Sequence, residues 1–272
     1  MLDSPILDPE TQARLDLAVG AARRAGASTL EWFRSTIAVE RKGDGSPVTA
    51  ADRRSETLLR DEISASFPDD AILGEEFGEK PGTSAYRWVL DPIDGTKSFI
   101  AGVPLYTTLV AVLKDEQPLI GVIYAPATGE IVYAAMGGPT WFAVGEGTPV
   151  LARVSTTEKF AEATFVVTEV NKFNRVAEGA RGIYDHLEKS CRVTRTWGDA
   201  YGFLLVATGR ADIMVDLLIN VWDLAALLPV IQGAGGHFTD WQGVPSIRTG
   251  NAVATNQHFA EPVLKLIRER VG

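Results

Sequence analysis

Apolar residues recur along the chain with two periods, and the alternation between them marks its organisation. Asp8-Pro9-Glu10 reads as a helix start, with an aspartate placed to cap and a proline at the first helical position. Leu15, Leu17 and Val19 carry the helical pattern towards an alanine-rich stretch near Ala25. A further helix is expected over Leu30 to Phe33, and another from about Ala50 to Ser66 with Leu58, Leu59 and Ile63 on its apolar face. Between them, Lys42-Gly43-Asp44-Gly45-Ser46-Pro47 has the composition of a flexible loop. From Tyr86 to about Val150 the pattern becomes strand-like. Leu105 to Leu113, Leu119 to Tyr124 and Ile131 to Met136 are short apolar runs separated by turn residues, which predicts an antiparallel meander. The second half restarts with a strand over Ala163 to Thr168. Helices follow over Val176 to Lys189, Tyr201 to Thr208 and Trp222 to Gln232, with a strand at Ile213 to Val215. Gly233-Ala234-Gly235-Gly236 follows a helix rather than a strand, so it reads as a helix C-terminus and not a dinucleotide loop. No repeat or low-complexity linker divides the chain. The expectation is one α/β unit over 1–272, an N-terminal half of about 1–150 folded against a C-terminal half of about 151–272.

The densest chemistry lies in Trp88-Val89-Leu90-Asp91-Pro92-Ile93-Asp94-Gly95-Thr96-Lys97-Ser98-Phe99. Trp-Val-Leu suits a buried strand, and Pro92 is expected to end it because proline cannot donate to a ladder. Residues two apart on a strand share a face, so Asp91 and Asp94 converge only if the chain turns between them. Such a turn exposes the Ile93 carbonyl and places three hard oxygens in four residues, which suits Mg²⁺. Gly95 allows a close backbone approach, and the amides of Gly95 and Thr96 at a helix start favour an anion. A metal site beside an anion site points to phosphate chemistry.

Composition narrows the class. The 272 residues are 46% hydrophobic and 22% charged, ordinary for a globular protein. A net charge of −9 argues against a nucleic-acid surface, although bound cations can reverse the potential locally for a phosphate substrate. One cysteine, Cys191, rules out an internal disulfide and multi-cysteine metal sites, and fits a reducing cytoplasm. Met1-Leu2-Asp3-Ser4-Pro5 is acidic and broken by proline, unlike a secretory signal. The apolar run Leu217 to Val230 is interrupted by Asp223 and Pro229, so no membrane span is expected.

Other acids stand at element ends. Gly74-Glu75-Glu76 follows the apolar pair Ile72-Leu73, where a solvated turn and a functional loop are both open readings. Asp223 lies three residues after Asn220, in a spacing that serves helix capping, metal binding or both. Thr49 and Asp52 share that ambiguity, and Lys42 by itself is a solvated lysine. Trp222 reads as packing. His186, His237 and His258 lack metal spacing, and no Ser or Cys sits in a nucleophile elbow. Aspartyl-phosphate phosphatases also place two acids after a strand, but two residues apart. The three-residue spacing here, with Pro92 inside, leaves Asp91 badly placed as a nucleophile.

Taken together, Gly74-Glu75-Glu76, Asp91-Pro92-Ile93-Asp94-Gly95-Thr96 and Trp222-Asp223 followed by Ala234-Gly235-Gly236 resemble the inositol monophosphatase-like family of metal-dependent phosphatases. The resemblance extends over nearly the whole chain. It implies a layered α-β-α-β-α sandwich, commonly dimeric, with up to three Mg²⁺. By position, Glu75, Asp91, the Ile93 carbonyl, Asp94 and Asp223 would be ligands, with Asp52 at a third site. Thr96 would pair with Glu75 to orient the attacking water, and the Gly95 and Thr96 amides would hold phosphate. Lys42 matches a loop lysine near the third metal.

Lys97-Ser98-Phe99, Gly102-Val103-Pro104-Leu105-Tyr106 and Trp197-Gly198-Asp199-Ala200-Tyr201-Gly202 are similar to the histidinol-phosphatase branch, whereas Glu169-Val170-Asn171-Lys172-Phe173 departs from it. Asp199 and Asp216 are expected to receive the ammonium and imidazole of histidinol phosphate. Asp94, Ala200 and Asp223 are further substrate contacts, and Glu169 is a candidate beside them. The expected reaction is phosphate monoester hydrolysis by in-line attack of a Mg²⁺-bound water, without a phosphoenzyme. The alternative substrates are inositol 1-phosphate, an adenosine bisphosphate and fructose bisphosphate. A non-enzymatic binder of metal or small molecules would be expected to lack a ligand, and none is missing.

Overall fold

The computed structural model describes residues 7–36, 38–43 and 47–272. The start Met1-Leu2-Asp3-Ser4-Pro5 and the centre of the loop at 44–46 lie outside the described residues. Helix α1 (Pro9–Thr29) begins as its sequence dictates: Asp8 caps it through the Thr11 amide, and Pro9 needs no donor. A short hairpin, β1 (Val39–Arg41) with β2 (Pro47–Thr49), leads into α2 (Ala50–Ser66). Then come β3 (Ala71–Gly74), β4 (Gly78–Lys80), β5 (Tyr86–Asp94) and the five-residue α3 (Thr96–Ile100). The meander is β6 (Thr107–Lys114), β7 (Gln117–Ala125), β8 (Glu130–Ala135), β9 (Trp141–Val144) and β10 (Val150–Leu151).

The second half holds β11 (Thr164–Val167), α4 (Phe173–Val176), α5 (Arg181–Ser190), β12 (Val193–Arg195), α6 (Asp199–Ala207) and β13 (Ile213–Leu217). It ends with α7 (Val221–Leu224), α8 (Leu227–Gly233), β14 (His237–Thr239), β15 (Asn251–Thr255) and α9 (Ala260–Val271). The eight-stranded sheet runs β10-β9-β8-β7-β6-β5-β3-β4, antiparallel throughout except where β3 lies parallel to β5. The five-stranded sheet runs β12-β11-β13-β15-β14, with β11 parallel to both β12 and β13.

Three cores stack these pieces. Leu15, Ala18 and Ala22 of α1, with Leu59 and Ile63 of α2, bury against Trp88, Leu90 and Val110 on one face of the large sheet. Its other face, through Val89 and Leu109, shares a core with α6, α8 and the small sheet, through residues such as Leu204, Ile231 and Met214. The far face of the small sheet carries α5 and α9, with Phe165 against Ile183 and Ile267. The order is therefore helix, sheet, helix, sheet, helix, the α-β-α-β-α sandwich expected. Burying both faces of both sheets explains why their inner strands read as continuous apolar runs.

Four local expectations need correction. Leu30 to Phe33 is a run of turns, because the left-handed Arg34 (φ 62°) stops propagation while Trp32 and Phe33 pack on the Phe99 and Tyr106 cluster. Pro92 does not end β5. Pairing jumps from Asp91↔Leu109 to Asp94↔Thr107, so one extra residue is bulged out, and a bulge tolerates proline. The segment Trp222 to Gln232 breaks into α7 and α8 rather than one helix. Val176 to Lys189 likewise divides between the end of α4 and α5.

Candidate active site

The carboxyl ends of β3, β5, β11 and β13 open on one region, where α/β folds collect functional groups. The bulge in β5 builds its centre. The extra residue resets the alternation of side chains, so Asp91 and Asp94 can meet instead of facing opposite ways. Thr108 locks the bulge by donating its hydroxyl to the Pro92 carbonyl at 2.8 Å. Asp223 arrives from the first turn of α7, where the Asn220 amide donates to its Oδ2 at 2.6 Å in a capping box. Oxygens of Asp91, Asp94 and Asp223 all lie within 4.8 Å of one another. Cap and convergence thus coexist in one carboxylate.

Asp94 is fixed by the Thr107 hydroxyl at 3.1 Å and the Ala200 amide at 2.6 Å, both on Oδ2, and among the described residues no donor is seen on Oδ1. Asp91 is 1% exposed, and among the described residues no hydrogen-bond donor reaches its buried Oδ1. The Asp223 carboxylate facing it can only share a proton. Burial first, and then the neighbouring carboxylates, push Asp91 and Asp94 well above the usual carboxylate range. Burial likewise brings Asp223 up to about 6. Asp52 adds a second orphan: Thr49 satisfies its Oδ2 through both amide and hydroxyl, while Oδ1 is buried with no partner among the described residues. Burial raises it too, and the Glu75 charge adds to that. Crowded, desolvated carboxylates with unused oxygens are the donor set that a hard divalent cation satisfies.

Glu75 stands beside this trio rather than in it. Its amide donates to Leu90 O at 3.1 Å, and its carboxylate takes the Lys42 ammonium at 2.7 Å. Lys42 reaches Glu76 at the same distance. Burial opposes that charge, but the two glutamates hold the lysine raised. Thr96 does not pair with Glu75 here. Its hydroxyl donates to the Ile93 carbonyl at 3.1 Å, although both residues line one cavity of about 330 Å³. Gly95, the residue before α3, sits at φ 83°, and a Cβ there would come 3.0 Å from Asp199 Oδ2. Only glycine serves both needs.

Sequence reasoning missed the supports. Glu56 is fully buried and accepts from the Glu76 and Phe77 amides at 2.7 and 3.2 Å, bracing the Glu75 loop. A signal existed: it lies three residues before Leu59 on the buried stripe of α2, where an acid needs partners. A Cβ on Gly74 would fall 2.0 Å from that carboxylate, so this glycine is needed for space. Thr107 and Thr108 read only as strand formers.

The acids expected at the alcohol side are not equivalent. Asp216 is held by Lys172 at 3.0 Å and by the Thr168 hydroxyl at 2.7 Å. Glu169 pairs with Lys97 at 3.2 Å across the cavity mouth. Asp199 opens α6 at φ 50° and, among the described residues, its carboxylate accepts no hydrogen bond. Burial brings it up to about 7. Ala200 contributes an amide to Asp94.

The sequence profile of the Inositol monophosphatase family matches residues 10–271. A histidinol-phosphatase of Chlorobaculum parvum is 41% identical over 242 residues, 89% of this chain and 91% of its own. A fructose-1,6-bisphosphatase/inositol-1-monophosphatase of Thermotoga maritima is 31% identical, over 95% of this chain and 97% of its own. The solved extragenic suppressor protein suhB of Bartonella henselae superposes with a TM-score of 0.84 at 25% identity, covering 95% of this chain and all of that one. Among the described residues no helix is long and apolar enough to cross a membrane. The family is metal-dependent, and the trio of acids could hold such an ion. The chain belongs to the inositol monophosphatase family and is a hydrolase of phosphate monoesters.

Proposed function

We propose that this chain is a Mg²⁺-dependent phosphatase whose substrate is histidinol phosphate. The observation that carries the metal reading is the convergence of Asp91, Asp94 and Asp223 within 4.8 Å, with Asp91 Oδ1 unsatisfied. Asp91, Asp94, Asp223, Glu75 and the Ile93 carbonyl would hold two ions, and Asp52 a third. Bound there, Mg²⁺ supplies positive charge against the phosphate and acidifies water. The chain does the rest by positioning. The Gly95 and Thr96 amides open α3 towards the phosphate, Glu75 and Thr96 line the cavity in which the attacking water would sit, and Asp94 is kept in place by Thr107 and Ala200. Asp91 is surrounded by acids and buried, a setting for a ligand rather than a nucleophile.

Support for the substrate comes from the 41% identity to a histidinol-phosphatase, against 31% to the fructose-bisphosphatase/inositol-monophosphatase. Lys97-Ser98 and Trp197-Gly198-Asp199 support the same branch. Phosphate release from histidinol phosphate, inositol 1-phosphate, an adenosine bisphosphate and fructose 1,6-bisphosphate, with Mg²⁺ and with EDTA, tests the reading. A preference of about tenfold or more for histidinol phosphate, about 1.4 kcal/mol in transition-state binding, is expected. A comparable preference for inositol 1-phosphate refutes the substrate, and full activity in EDTA refutes the metal. A cytoplasmic homodimer belongs to the same reading, and light scattering on the purified protein checks the dimer.

A further inference from the structure

Each charged side chain that lines the cavity has an oppositely charged partner, with one exception. Lys42 is held by Glu75 and Glu76, Lys97 by Glu169, and Lys172 by Asp216. Among the described residues Asp199 alone lines the cavity with a carboxylate that has no partner. Lys172 and Asp216 form more than an incidental contact: their side chains are 15% and 5% exposed. Asp216 also accepts from the Leu217 amide at 2.8 Å and from the Thr168 hydroxyl at 2.7 Å. That hydroxyl in turn accepts from the Asp199 amide at 2.7 Å. A relay therefore runs Lys172, Asp216, Thr168, Asp199, and it holds Asp199 in a left-handed conformation that costs a non-glycine residue energy. Strain of this kind persists only where its surroundings enforce it.

We propose that Lys172 is a specificity-determining positioning residue. By serving as the counter-ion of Asp216, it withdraws that acid from substrate binding and leaves Asp199 as the single anion offered to the alcohol moiety. The site then selects phosphate esters of amino alcohols, whose one ammonium group Asp199 receives, over neutral alcohol phosphates. This rests on the reading of Gly95 and Thr96 as the phosphate end of the cavity. A Cβ on Gly95 would meet Asp199 Oδ2 at 3.0 Å, so the two ends lie side by side, as a short amino alcohol ester requires. It also reassigns Asp216, expected from sequence to touch substrate, to the scaffold.

The test is the ratio of kcat/KM for histidinol phosphate to that for glycerol 2-phosphate in the intact Mg²⁺-loaded protein, with melting curves to confirm folding. Asp199→Asn is expected to lower the ratio about tenfold, through KM for histidinol phosphate, the worth of one charge-assisted hydrogen bond. Asp216→Asn alone should lower it as well, because the released Lys172 ammonium turns to Asp199. The double variant Lys172→Met/Asp216→Asn removes the pair as a neutral unit, and the ratio should return to within about threefold of the original, since only a surviving Asp199 interaction sets it. A purely structural pair would lower kcat/KM for both substrates together and leave their ratio unchanged. A double variant as unselective as Asp216→Asn shows Asp216 touching substrate and overturns the proposal. An Asp199→Asn variant that loses both substrates equally overturns it too. If the unsubstituted protein shows no preference at all, the substrate reading fails and this inference with it, an outcome the variants do not mimic.

Discussion

Asp223→Asn separates what the acidic cluster does for function from what it costs the fold. The Asp223 carboxyl rises from 3.8 to about 6, mainly through burial, with Glu75 and Asp216 adding to it. About two units at about 1.4 kcal/mol each give about 3 kcal/mol of native-state penalty once the group is ionised. Asp91 and Asp94 share the same repulsion, so the part released by one substitution is about 1–3 kcal/mol. The sign follows from the raised folded value. The favourable contribution is complete below about pH 4 and is lost as pH rises through about 6, so the metal-free protein should weaken between about pH 4 and 7. Asparagine keeps an oxygen for the Asn220 amide and can donate to Asp91. For a chain of this size, 1–3 kcal/mol corresponds to about 2–10 °C in Tm.

Thermal melts in EDTA at pH 8 should therefore show Asp223→Asn more stable than the original, with the gap about halved at pH 5 and closed near pH 4. Millimolar Mg²⁺ should reverse the order, because binding at 100 times Kd adds about 2.7 kcal/mol to the protein that retains its ligand. Phosphate release should be abolished in the variant. A variant less stable in EDTA at pH 8, or an equal Mg²⁺ shift in both proteins, would show that Asp223 is neither strained by its neighbours nor a ligand.

Thr107→Val removes one of two donors to Asp94 Oδ2 and should weaken Mg²⁺ affinity about 10–100-fold, read by calorimetric titration, with the melting point of the metal-free protein little changed. Gly95→Ala forces a side chain onto φ 83° and against Asp199, at a cost of about 1–2 kcal/mol in backbone strain alone. Its kcat/KM should fall at least tenfold, and unchanged steady-state kinetics would contradict the close packing of that turn. Asp70→Ala strands the buried Arg14 guanidinium, stacked between Phe67 and Tyr86, and leaves Trp88 Nε1 without its acceptor. Urea denaturation should show a loss of about 3–5 kcal/mol, with turnover per folded molecule preserved.

The layers were legible because burial on both sides writes itself into sequence. Val110, Val112, Ile120 and Val122 announce inner strands, and Asp8-Pro9 announces α1. The edges were not. β4, β10 and β14 are two or three residues long, too short for any period to register. Short α7 and α8 merged in the sequence because the two-residue break at 225–226 is alanine, which carries no turn signal. For the site, Asp91 and Asp94 stood out by residue type and spacing, whereas the spacing of Asp223 fitted a helix cap as well as a ligand. Their supports did not stand out, since Thr107, Thr108 and Glu56 act through partners far away in the chain.

From residue type and local spacing the sequence marked out the Asp91/Asp94 pair, the glycine beside it and a layered α/β class, and the resemblance to a family added Glu75 and Asp223 as expected ligands. The tertiary structure alone decided how Asp91 and Asp94 converge, through a bulge whose register belongs to the pairing of two strands. It alone decided which acids are already neutralised. Asp216 and Asp199 look alike in sequence, yet a lysine 44 residues from Asp216 occupies one and leaves the other bare. The reason is physical: a carboxylate's availability depends on what surrounds it in space, and no local pattern records that.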